Sequence, residues 1–121
     1  MHDLTPQKLL VIITTNTDNI VLLGDEIHQK RLEIIEYMAK LYDAENEARD
    51  DIFTGKEEVQ ASKVRDFIKW RTGKEEKTHE IAKLELKQLM DKRDIFTELI
   101  NTAKIAFRIK EMEAKSLHYD T

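Results

Sequence analysis

Two lysines of the chain follow a glycine, Gly55-Lys56 and Gly73-Lys74, and a phosphate-cradling loop is the chemistry such pairs suggest. That loop needs another Gly five residues earlier and a Ser or Thr after the Lys to reach a metal ion. Asp50 and Ile68 occupy the first position and Glu follows both lysines, so no phosphate loop is read. Glu76-x-x-His79 has the spacing of one half of a carboxylate-bridged di-iron site, which needs a second such pair and two further Glu from other helices. His2, His28 and His118 are not preceded by Glu at that spacing, which leaves a helix-start Glu near a surface His. Ser62 and Ser116 lie in helix-like surroundings without the strand-turn-helix elbow of a nucleophilic Ser.

Carboxylates are the next group. Glu33-x-x-Glu36 and Glu47-x-x-Asp50, with Asp43 between them, have the oxygen ligands that Mg²⁺ takes. The pattern resembles the Glu-x-x-Glu and Glu-x-x-Asp pairs of all-α nucleotide pyrophosphatases, which bring such pairs together from two facing helices. In this sequence all five acids fall on one continuous predicted helix. They are too spread out to converge on one ion, so a solvated face is the reading taken, with no metal or cofactor expected.

Lys63, Arg65, Lys69, Arg71 and Lys74 gather around Trp70, and a ring among cations can stack on bases. Arg65, Lys69, Trp70 and Arg71 are therefore the secondary, nucleic-acid candidate. Trp70 also falls on the apolar arc of its predicted helix with Val59, Val64 and Phe67, where core packing is the expected role, and Asp66, Glu75 and Glu76 dilute the positive field.

The elements that hold these residues follow from composition. The 121 residues suit one domain, residues 1–121, and 40% apolar residues with 7% aromatics is enough for a helical core. With three Gly and one Pro there are few places to turn, and 36% charged residues at net −4 fit long solvated helix faces. That balance does not draw nucleic acid strongly. Absence of Cys removes disulfides and thiolate chemistry. No run is long enough for a membrane span and no signal-like core follows a basic segment. A cytoplasmic location without membrane contact is expected.

Residues 74–117 contain neither Pro nor Gly. Ala82, Leu86, Leu89, Arg93, Phe96, Ile100, Ala103, Phe107, Lys110, Ala114 and Leu117 follow alternating steps of four and three, a coiled-coil seam. A second set, Leu84, Ile95, Ile105, Ile109 and Met112, falls on another arc. At about 1.5 Å per residue the helix would be roughly 65 Å long, against a diameter of about 35 Å for a compact chain of this size, so either the molecule is elongated or the helix breaks. Before it, Thr5-Pro6 opens a helix, with the Thr as cap and Pro at the first helical position. Residues 8–23 admit two readings. Either a helix continues through Thr14 to Asn19, supported by Ile13, Ile20, Ile27, Ile34, Leu41 and Ala48 at sevenfold spacing, or the segment is a β-hairpin around that polar turn. The helix is favoured.

From 20 to 52 the expected face holds Ile20, Leu23, Ile27, Ile34, Met38, Leu41, Ala48 and Ile52, with Ile35 and Tyr42 beside it and Arg31 and Glu45 as interruptions. Thr54…Glu57 and Thr72…Glu75 each have capping-box spacing and predict two helix starts, the first opening a short helix to about Arg71. The expected fold is all-α, an elongated coiled-coil-like bundle of two long helices and one short one.

The expected function is a non-enzymatic protein-protein interaction module: an adaptor, assembly factor or inhibitor. Lys, Glu and Ile richness suits one encoded by a phage or mobile element of a low-GC bacterium. Ile95, Ile105, Ile109 and Met112, with Phe107, are the expected interaction surface, for a homodimer or a different protein. A nucleic-acid-associated protein is the alternative, and a Mg²⁺-dependent all-α nucleotide hydrolase the second alternative.

Overall fold

The computed structural model describes residues 4–119, with side chains through Leu117, and within them the chain is all-α with no strand. Helix α1 spans Pro6–Phe53, a 3₁₀ turn spans Ala61–Lys63, α2 spans Val64–Arg71 and α3 spans Gly73–Tyr119. No helix among the described residues is long and apolar enough to cross a membrane.

The start of α1 follows from its cap. Lys8 N–H donates to Thr5 Oγ1 at 3.3 Å and Leu9 N–H to the Thr5 carbonyl at 3.0 Å, while Pro6 has no N–H to leave unpaired. The hairpin reading of residues 8–23 is corrected, because the polar stretch stays helical. Asn16 Nδ2 donates to the Ile12 carbonyl at 2.8 Å and Thr17 Oγ1 to the Ile13 carbonyl at 2.7 Å. Side chains that would compete with the helical backbone elsewhere here bond to carbonyls one turn back.

Of the two expected helix starts, the one at Thr54 is not made and the one at Thr72 is made without its capping box. Thr54 closes α1 instead of opening a helix: its N–H and its hydroxyl both donate to the Asp50 carbonyl at 2.8 Å. Gly55 then adopts φ 81°, a conformation that costs Gly little, and Glu57 N–H reaches back to the Asp51 carbonyl at 3.0 Å. The short helix accordingly begins at Val64, later than expected. Thr72 does mark the start of α3, since its carbonyl accepts Glu76 N–H at 2.9 Å. Its hydroxyl, however, donates backwards to the Ile68 carbonyl at 2.8 Å, so the capping box with Glu75 is not made.

The chain forms two compact units. One combines the chain up to Ile27 with the chain from Gln88, and its buried residues are Leu9, Leu23 and Ile27 from α1 and Ile100 and Ala103 from α3. Between these, Ile13, Asn16 and Ile20 on one helix and Leu89, Arg93, Phe96, Phe107 and Lys110 on the other are half-buried. Each set steps by four and three. The expected α3 seam is thus the covered face as far as Lys110, whereas Ala114 and Leu117 are exposed.

The second unit is His28–Lys87, with Ala48, Ile68, Thr72 and Ala82 buried. Here α1 and α3 run antiparallel, since Lys30 pairs with Glu85 and, farther along α1, Asp51 pairs with Arg71 just before α3 begins. The covered four-three series of α1 is Lys30, Ile34, Tyr37, Leu41, Ala44, Ala48 and Asp51, with Glu33, Glu45, Asn46 and Ile52 half-buried beside it. Met38, Ile35 and Tyr42 are 53%, 59% and 62% exposed, which corrects their placement on or beside the seam: Tyr37 takes the place expected of Met38. Arg31 is exposed and off the seam, Glu45 is half-buried beside it, and the polar residues of the covered series are Lys30 and Asp51.

Candidate functional site

Helix α3 presents apolar side chains on two opposite sides. With residues about 100° apart around the axis, Ile95, Ile105, Ile109 and Met112 lie roughly opposite the seam of Ile100, Ala103 and Phe107. They are 57%, 59%, 41% and 69% exposed. Phe107 belongs to the other side: it is half-buried on the seam and does not share the outer face. Nothing local requires these apolar residues, because the helix would form equally well with Lys, Glu or Gln at those positions.

On α2, Ile68 is buried and Val64, Phe67 and Arg71 are half-buried, while Arg65, Lys69 and Trp70 are exposed. Trp70 is 78% exposed, which corrects the expectation that it packs in a core. Its ring lies beside that of Phe67, at 6.0 Å between centroids and 41° between planes. The arc drawn through Val59 fails because α2 starts only at Val64, and the covered face is then set by Ile68. Arg71 is committed inward, bonded through Nη2 to Asp51 Oδ2 with its guanidinium carbon 6.0 Å from the Phe67 ring centroid. The structure therefore leaves Arg65, Lys69 and Trp70 outward and takes Arg71 out of that candidate set.

The carboxylates stay dispersed. Glu33 accepts from Lys30 Nζ at 2.9 Å, and Glu36 lies 3.7 Å from Lys40 Nζ. Among the described residues no group of three or more His, Asp or Glu is gathered as metal ligands would be. Glu76 is exposed while His79 is half-buried, and it is Glu75 Oε2 and His79 Nδ1 that are buried without a hydrogen-bond partner. His2 and the side chain of His118 lie outside the described residues. A cavity of about 150 Å³ is lined by Tyr37, Lys40, Lys74, Glu75 and Thr78, below the roughly 300 Å³ at which small-molecule sites begin. A depression of about 490 Å³ beside Gly55 is lined by Ile52, Glu57, Glu58, Val59 and Gln60, with no cation to receive a phosphate.

The charge of Lys30, on the covered series of α1, carries a pH signature. Hydrogen bonds from its Nζ to Glu33 at 2.9 Å and Glu85 at 3.1 Å raise its pKa above the ordinary 10.5, against the opposing effect of burial. A raised Lys pKa gives stability that is whole below the unfolded value and is lost as pH climbs through the folded one. Melting temperatures should therefore fall on the alkaline side of pH 10.5, and Lys30→Met should lessen that fall. Parallel curves for the two proteins would contradict the assignment.

Sequence reasoning missed the outward row of Leu32, Ile35, Met38 and Tyr42 on α1, all exposed. The available signal was the unbroken four-three series through Lys30, Tyr37, Ala44 and Asp51, which contains too few apolar residues to stand out. Comparison with known proteins finds no matching family model, no matching curated protein and no matching solved structure.

Proposed function

We propose that the chain is a non-enzymatic protein-protein interaction module, an adaptor, assembly factor or inhibitor that presents a helical face to its partner. In this reading α1 and α3 pair through their four-three seams in the manner of a coiled coil, which leaves the outer face of α3 free. The observation that carries it is the exposure of Ile95, Ile105, Ile109 and Met112 on the face opposite the buried seam. Covering each such side chain is worth about 1.5–3 kcal/mol, and helix-in-groove recognition uses anchors at this spacing.

Ile105→Glu plus Ile109→Glu is the test. Both residues are exposed, so helical circular dichroism and melting temperature should stay near those of the parent. Association, with another copy or with a different protein, should weaken about a hundredfold or more. Unchanged association would remove this face from the function. In the same preparation, calorimetric titration with Mg²⁺ and nucleotides should give no heat; heat that Glu33→Gln plus Glu36→Gln abolishes would favour the hydrolase instead.

The exposure of Trp70 beside Lys69 and Arg65 favours a second reading, a nucleic-acid-associated helical protein. Base stacking on Trp70 would supply affinity and the two cations would make it salt-dependent. Net charge −4 opposes it. Single-stranded DNA binding at physiological salt that is lost in Trp70→Ala would promote this reading over the first.

A further inference from the structure

We infer that the outer face of α3 is a symmetric interface for a second copy of this chain, with the two α3 helices antiparallel; this rests on the interaction-surface reading above. The outer stripe runs Ile95, Glu98, Thr102, Ile105, Ile109, Met112 in steps of three and four, so it is itself a helix-pairing seam. One edge of the stripe carries Asp94, Asn101, Arg108 and Lys115, and the other carries Lys92, Leu99, Ala106 and Glu113. Lys92, Asp94, Glu113 and Lys115 are exposed and make no ion pair among the described residues.

In an antiparallel pair each edge meets the same edge of the other helix, and a two-fold axis makes every contact occur twice. One alignment satisfies both edges. It sets Asp94 beside Lys115, Lys92 beside Glu113 and Leu99 beside Ala106. Along the seam it sets Ile95 opposite Met112, Thr102 opposite Ile105, and Ile109 against the stem of Glu98. Sliding by seven residues one way brings Arg108 onto its own copy. Sliding the other way brings Lys115 onto Lys87 and Glu113 onto Glu85. Among the described residues a parallel pair gains only Arg108 beside Glu113 and sets Lys87 beside Lys92. Charge complementarity therefore selects a second copy in one orientation and one register.

The chain has no Cys, so single-Cys variants report without background. Ile95→Cys and Met112→Cys, mixed and oxidised, should give chiefly the mixed disulfide by peptide mass spectrometry. Predominant 95–95 and 112–112 products would overturn the antiparallel arrangement. Light scattering coupled to size exclusion should show twice 14.3 kDa at micromolar concentration and above. Lys92→Glu should weaken the dimer about three- to tenfold, and adding Glu113→Lys should restore it; a double variant as weak as the single one overturns the register. A chain monomeric at every concentration overturns the second copy. If a photo-crosslinker placed at position 109 of that monomer then captures a different protein, the interaction-surface reading stands, and if it captures nothing both fall.

Discussion

Replacing Ile27 with Ala should lower the unfolding free energy by about 2–5 kcal/mol, the range for emptying a buried aliphatic site. Ile27 is 2% exposed and, among the described residues, shares its unit with only four other buried ones, Leu9, Leu23, Ile100 and Ala103, so little material is at hand to collapse into the space. Domains of this size are stable by about 5–15 kcal/mol, which makes the loss a large fraction of the total. Ile35→Ala provides the control. The same residue type eight positions along the same helix is 59% exposed, and its truncation should stay within about 0.5 kcal/mol. Urea denaturation followed by circular dichroism measures both. Equal losses at the two positions would mean that the seam does not run where the structure places it.

The second large effect is expected at the joint between α1 and α2. Arg71 Nη2 donates to Asp51 Oδ2, the two side chains being 31% and 16% exposed, and the pair ties the last residue of the short helix to the last turn of α1. Hydrogen bonds to charged groups contribute about 1.5–3 kcal/mol. Part-burial keeps this one from being screened by salt as a surface pair is. Arg71→Ala should cost about that much, with a further loss from the guanidinium that lies over the Phe67 ring. The coupling energy is obtained from Asp51→Ala, Arg71→Ala and the double variant. A value under about 0.5 kcal/mol would assign the joint to Ile68 and Thr72, and the pair would be an ordinary surface contact.

Much of α3 was legible in advance because its seam and its second stripe both consist of apolar residues with a clear period. From Ala82 to Lys110 the expected seam is the covered face, and Ile95, Ile105, Ile109 and Met112 are on the other side, as their angular positions required. The face of α1 was harder. Apolar residues there satisfy two phases about one residue apart, and the phase that is covered includes Asn16, Lys30 and Asp51, which periodicity counts as errors. A hydrophobic pattern cannot show that Lys30 will find Glu85 or that Asp51 will find Arg71, because those partners are 55 and 20 residues away.

The amino-acid order alone determined that the chain is helical, where α1 and α3 begin, and that α3 carries more apolar surface than a single face needs. These are consequences of local propensity, of Thr5-Pro6 and of a period read over many turns. Only the tertiary structure decided which way Trp70 points, that Thr54 ends a helix instead of starting one, and which of two neighbouring phases of α1 is covered. Each of those choices turns on a rotation of about 100° around a helix axis or on one hydrogen bond. Differences of that size are small in local energy, and they are settled by what the rest of the chain places against the residue.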